Sequence, residues 1–125
     1  MKYFGIEFAT RLHDDIIDEI GGLKGYNKVQ IGYLISALEQ IQNDEFYPEF
    51  ADKLTHLIFA CVKFHPFLDG NKRSAIYLGE HFARLNGFDF DDSFFAKMEE
   101  IVIQIAENSL SKEKLKEFLI ANFLA

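Results

Sequence analysis

The sequence is poor in cysteine, proline and basic charge, and it has no tryptophan and no long apolar run. One cysteine, Cys61, among 125 residues excludes an internal disulfide and any cysteine-based zinc cluster. Lys and Arg number 13 against 20 Asp and Glu, a formal charge of −7. So acidic a chain is a poor direct partner for nucleic acid, whose binding rests on phosphate neutralisation by a basic face. The longest uninterrupted apolar run, Leu57 to Val62, falls far short of a membrane span. The first residues lack the basic start and long apolar stretch of a signal peptide. These absences point to a soluble cytoplasmic protein in a reducing compartment, with no membrane partner. Its length predicts a single domain over residues 1–125.

What is present is core-forming material. Hydrophobic residues make up 49% of the chain, with 14 Phe and 5 Tyr, enough at this size to bury roughly two-thirds of the unfolded surface without a staple. Apolar residues recur at helical spacing almost throughout. Phe8, Leu12, Ile16 and Ile20 form an i+4 ladder that Gly21-Gly22 ends. Residues 21–28 read as an exposed Gly-rich loop, and Val29 to Ile41 as a second helix with Leu34, Ile35, Leu38 and Ile41 on one side. Pro48 suits the first turn of a third helix carrying Phe50, Leu54, Leu57, Ile58 and Cys61. That helix should end near Phe64, because Pro66 pushes His65 out of the α region. Asn71 is placed to N-cap a fourth helix with Ala75, Leu78, Phe82 and Leu85, stopping at Asn86-Gly87. Phe88-Asp89-Phe90 reads as a short extended piece, Asp91 to Ser93 as the cap of a helix through Ala106, and Ser111 as the start of a last helix to about Phe123. The expectation is an all-α bundle of six helices.

The charge is uneven. Residues 63–73 carry Lys63, Lys72 and Arg73 against Asp69 alone, whereas 89–100 carry Asp89, Asp91, Asp92, Glu99 and Glu100 against Lys97. A basic island in an acidic chain is a place to look for an anionic ligand. It coincides with His65-Pro66-Phe67-Leu68-Asp69-Gly70-Asn71-Lys72-Arg73, which reads as a helix end, a tight loop and a new helix start. Gly70 can take positive φ and let successive N–H groups form an anion nest. The helix start aims its dipole and free N–H groups at the same spot. Lys72 and Arg73 oppose that dipole, so a bound anion would compensate them. The reference pKa of an imidazole such as His65, about 6.5, suits proton abstraction. Asp69 offers a hard oxygen to Mg²⁺ shared with nucleotide phosphates. Together these groups suggest transfer of a phosphorus group to a hydroxyl, with Phe67 anchoring the loop in the core.

The nine residues also resemble the Fic/Doc signature, H-x-F-x-[D/E]-[G/A]-N-[G/K]-R, at every specified position. Leu12 to Ile17 followed by Gly21-Gly22-Leu23 looks like the N-terminal stretch of the Doc branch, and Arg84-Leu85-Asn86-Gly87 like the end of the family's motif helix. The resemblance implies an ATP- and Mg²⁺-dependent enzyme. In it His65 deprotonates the target hydroxyl, Asp69 holds Mg²⁺, Gly70 and neighbouring amides wrap phosphates, and Asn71 orients loop and phosphate. Lys72 and Arg73 would contact phosphate oxygens and offset transition-state charge. In adenylylating Fic enzymes Gly usually stands where Lys72 is, and a second Arg lies three residues after the position of Arg73, where this chain has Ile76. Both departures resemble Doc, while Gly70 resembles Fic, since Doc has Ala there. The resemblance thus implies a Doc-like toxin that transfers the γ-phosphoryl group to a protein, with elongation factor Tu as the Doc branch's target. The alternatives are AMP transfer to a hydroxyl and an inactive nucleotide- or partner-binding module. The inhibitory form [ST]-x-x-x-E-[GN] is approached at Ser109 to Glu113, but Lys114 follows, and the segment reads as the start of the last helix. A separate Phd-like antitoxin is therefore the expected partner. In relatives the region corresponding to 21–28 helps dock the target segment.

Other polar residues have simpler readings. His13-Asp14 is similar to the paired ligands of HD-type hydrolases, but no His precedes it, which leaves helix-surface polarity. His56 falls off its helix's apolar face and reads as solvated. His81 lies ten residues into the motif helix, about 15 Å from its start at 1.5 Å per residue, too far to reach the loop. Cys61 reads as an inert core thiol.

Overall fold

The computed structural model describes residues 1–125. Its elements are α1 (Ile6–Ile20), α2 (Ile31–Gln40), α3 (Phe50–Lys63), α4 (Asn71–Leu85), α5 (Asp92–Ala106) and α6 (Lys112–Leu119), with a π-helical turn over Ile120–Leu124. The protein is all-α, as expected. Helix α3 lies at the centre, packed on α2, α4, α5 and α6, while α1 lies on α2 and α4. Leu54, Leu57, Ile58 and Cys61 of α3 are fully buried, and so are Ala75, Leu78 and Phe82 of α4. Gly79 explains how closely these two helices approach. A Cβ at this position would meet Ile58 Cδ1 at 2.8 Å, so the roughly 1 kcal/mol that glycine costs inside a helix is offset by contact between the helices.

The ends follow the local chemistry. Gly21 closes α1 with its N–H on the Ile17 carbonyl, Asp91 caps α5 by accepting from the Ser93 N–H, and Ser111 caps α6 by accepting from the Lys114 N–H. Two expectations are corrected, the start of α3 and the buried face of α1. Pro48 lies ahead of α3 rather than in its first turn, because Glu49 and Asp52 form a reciprocal capping box that starts the helix at Phe50. Residues 88–90 are neither helix nor strand. The Phe88 N–H donates to the Ala83 carbonyl at 3.0 Å at the end of α4, and the ring of Phe88 stacks on Phe50 while that of Phe90 packs on Phe94 and Phe123. The face of α1 is rotated: Ala9, His13, Ile16 and Ile17 are buried, whereas Ile20 is exposed.

Cys61 is buried, and burial pushes its thiol up to about 12, which keeps it protonated and unreactive. The ring of His81 packs between Phe8 and Phe4, at 4.2 and 5.7 Å between centroids. His56 is not a free solvated side chain. Its Nδ1 accepts from Lys112 Nζ at 2.7 Å, and Nε2 lies 2.8 Å from Gln40 Oε1. Burial, then the charge of Lys112, lowers its pKa to about 4. Unfolded, His56 takes a proton below about pH 6.5, and folded only below about 4, so the unfolded chain binds more protons between the two. Its contribution is complete above pH 6.5 and is lost as pH falls to 4. Because the side chain is partly exposed, screening reduces it to about 1 kcal/mol. Urea unfolding from pH 7 to 4 should show a shallower loss of stability for His56→Gln than for the parent chain.

Candidate functional site

The site grows from the turn between α3 and α4. Pro66 bars His65 from the right-handed α region, and His65 takes φ +48°, the left-handed region. A second loop holds it there. Asn27 Nδ2 donates to the carbonyls of His65 and Phe67 at 2.9 and 3.1 Å, and the Asn27 N–H donates to that of Pro66 at 2.9 Å. Leu68 N–H in turn donates to the Gly25 carbonyl at 3.1 Å, and Tyr26 bridges Phe67 in antiparallel fashion. Residues 21–28 are thus more than the exposed loop expected. Their side chains at Leu23 and Tyr26 face solvent, while their backbone is paired to the 65–73 loop.

Phe67 is buried and fixes the loop in the core. Gly70 sits at φ +69°, ψ +27°, and is the residue that precedes α4. A side chain there would be strained and would bring its Cβ to 3.0 Å from Ile17 Cδ1. Asn71 is not the expected N-cap but the first helical residue. Its side chain turns back, Oδ1 accepting from the Phe67 N–H at 2.9 Å and Nδ2 donating to the Phe67 carbonyl at 3.0 Å. A carboxamide carries both a donor and an acceptor, so it satisfies both backbone groups of Phe67, which a cap on the helix N–H groups would not. Asn71→Ala should cost about 1–3 kcal/mol in urea unfolding, since it strands the Phe67 N–H, while the carbonyl keeps its bond from Asn27. Asn71→Asp should not restore it, because a carboxylate oxygen would face the Phe67 carbonyl.

The loop opens onto a cleft of about 690 Å³. His65, Asp69, Gly70, Asn71, Lys72 and Arg73 all line it, so the structure brings together every residue singled out in the motif. His65, Asp69, Lys72 and Arg73 are exposed. Asp69 Oδ1 accepts from the Gly70 N–H at 2.9 Å, and Oδ2 from the Leu23 N–H at 3.3 Å. No group of three or more His, Cys, Asp or Glu is placed to hold a metal ion. A lone carboxylate at a cleft fits Mg²⁺ that draws its other oxygens from substrate phosphates and water, and Asp69 is the residue that would hold it.

Lys63 does not join the basic island. Its Nζ donates to the Ile105 carbonyl at 3.3 Å and to Asn108 Oδ1, tying it to the end of α5. The positive charge at the cleft is therefore that of Lys72 and Arg73. The opposite wall is apolar and was not foreseen. Ile76 and Tyr77 of α4 face it, with Phe95, Val102 and Ile103 of α5, and Glu99 is its acidic member. The sequence held a signal for it. Helix α5 has apolar residues at 94, 95, 98, 101, 102, 103 and 105, a stripe wider than one packed face requires.

His13 is the other correction. Helix-surface polarity is overturned by its complete burial. Its Nε2 lies 2.6 Å from the Asp69 carbonyl, and its ring stacks on Phe67 at 4.0 Å with 6° between planes.

The sequence profile of the Fic/DOC family matches residues 3–83, a span running from just ahead of α1 almost to the end of α4. The chain belongs to the Fic/DOC family. No curated protein is similar enough to the chain to match it. Membership carries a protein-modifying transferase function, and members use nucleotide substrates such as ATP, usually with Mg²⁺. The matched span holds the whole 65–73 loop, while the α5 wall lies beyond it.

Proposed function

We propose that this Fic/DOC protein is a Doc-like toxin that transfers the γ-phosphoryl group of ATP to a Ser or Thr hydroxyl of a target protein. The observation that carries the reading is the single cleft in which His65, Asp69, Lys72 and Arg73 meet at the start of α4. In the proposed step His65 takes the hydroxyl proton. The oxygen forms a new bond to the γ-phosphorus as the bond to the β,γ-bridging oxygen breaks, and ADP leaves with that electron pair. Lys72, Arg73 and the amides beside Gly70 offset the charge that develops on the phosphate oxygens. When bound at Asp69, Mg²⁺ would supply further charge neutralisation for the phosphates.

Two features support γ-transfer over AMP transfer. Lys72 places an ammonium in the first turn of α4, and Ile76, where a second Arg would stand, is a nearly buried part of the cleft wall. Gly70 favours the AMP reading. The Doc resemblance makes elongation factor Tu the target of first choice, and on this reading the reaction is cytoplasmic and a Phd-like antitoxin is the inhibitor in trans.

The test supplies ATP labelled at either the α or the γ phosphate, with Mg²⁺ and a cell lysate. Label from γ on a protein is the expected result. Label from α would replace the proposal with adenylylation. Nucleotide binding with no transfer would leave only a binding module.

A further inference from the structure

Helix α1 supplies a residue that the signature does not contain. His13 is wholly buried beneath the loop. The Asp69 carbonyl 2.6 Å away can only accept, so Nε2 carries the hydrogen. Nδ1 lies 3.1 Å from Asp14 Oδ1, and that oxygen accepts from the Gly25 N–H at 3.2 Å. The flat stack on Phe67 fixes the remaining freedom of the ring. His13 therefore touches the loop at two points, the Phe67 ring and the main chain between Asp69 and Gly70. Through Asp14 it is also joined to the second loop, whose Leu23 N–H holds the Asp69 carboxylate. A buried imidazole with two partners is a costly way merely to fill space, because a polar group is stabilising in the interior only when it is bonded.

We propose that His13 is a positioning residue, setting the direction of the Asp69–Gly70 peptide and with it the Asp69 carboxylate and the amides that follow. The inference takes the purpose of that geometry from the transferase reading, but the geometry itself can be tested separately. Gly70, at φ +69°, tolerates either sign of φ, so the residue alone does not fix the peptide before it. Helix α1 holds it through His13, from outside the loop.

The experiment compares His13→Phe, which keeps a ring on Phe67 without an N–H, with His13→Gln, which returns a donor near the place of Nε2. Amide hydrogen exchange and turnover with Mg·ATP are measured on the whole chain. In His13→Phe the Gly70, Leu68 and Ser74 amides, which donate to Asp69 Oδ1 and to the Gly25 and Gly70 carbonyls, should exchange at least about tenfold faster, while those of α3 and α5 keep their protection. Turnover should fall about 100-fold, as for a misplacement near 1 Å, with a smaller change in KM. His13→Gln should recover most of both. Unchanged loop exchange in His13→Phe, or a loss of protection spread evenly over the chain, would overturn the proposal. If His13→Phe does not fold, the parent chain decides. A slowly exchanging Nε2–H resonance with a cross-peak to the Gly70 amide supports the inference, and a ring proton averaged with water overturns it. Absence of transfer in the parent chain would count against the transferase reading alone, since loop exchange still reports on His13.

Discussion

His65→Ala is expected to lower transfer by about 10²- to 10⁴-fold, the contribution of a positioned general base, with little change in thermal unfolding. The two halves of this expectation have separate grounds. The imidazole is exposed at the cleft, so its removal opens no cavity, and the hydrogen bond that fixes this residue uses its carbonyl rather than its ring. The positive φ of His65 is held by Asn27, and the bond from Asn27 survives the substitution. Transfer rates and melting curves measured on the same preparation check both. Retained activity would remove His65 from its role.

Arg73→Ala should lower transfer by about 10²- to 10³-fold, the scale of losing one donor to developing charge, while raising stability slightly. Arg73 lies in the first turn of α4, where a cation opposes the helix dipole. Removing such a charge should gain about 0.3–1 kcal/mol at low salt. The ion pairs of the chain lie elsewhere, at Asp18, Asp44, Glu80, Glu117 and Asp52, so the substitution breaks none of them. Opposite signs for activity and stability are the mark of a charge kept for a ligand. Urea unfolding beside initial rates reads both, and a parallel loss of the two would assign Arg73 a structural role instead.

Much of the fold was legible because helical periodicity and end chemistry are local. The stop at Gly21 and the caps at Asp91 and Ser111 require nothing beyond neighbouring residues. What escaped depends on distant partners. The i+4 ladder through Phe8 and Leu12 concealed that Ala9, His13, Ile16 and Ile17 form the buried stripe of α1. Polarity suggested the surface for His13, yet an imidazole can be buried once it finds Asp69 and Phe67, more than fifty residues away. Asn71 read as a cap, because the Phe67 backbone pair it clasps exists only after the loop has closed. At the cleft, the signature named the phosphate side from chemistry packed into nine residues. The facing wall comes from α5, whose Phe95, Val102 and Ile103 approach through tertiary packing alone. Lys63 shows the converse: sequence proximity put it in the basic island, and α5 takes it out.

The central claim is that His65 drives transfer of a phosphorus group from nucleotide to a protein hydroxyl. Mass spectrometry of a lysate incubated with ATP, Mg²⁺ and either the parent chain or His65→Ala tests it most directly. The expected result is a phosphate ester on a Ser or Thr oxygen of one protein, present with the parent chain and missing with the variant. The same ester in both samples, or in neither, would contradict it.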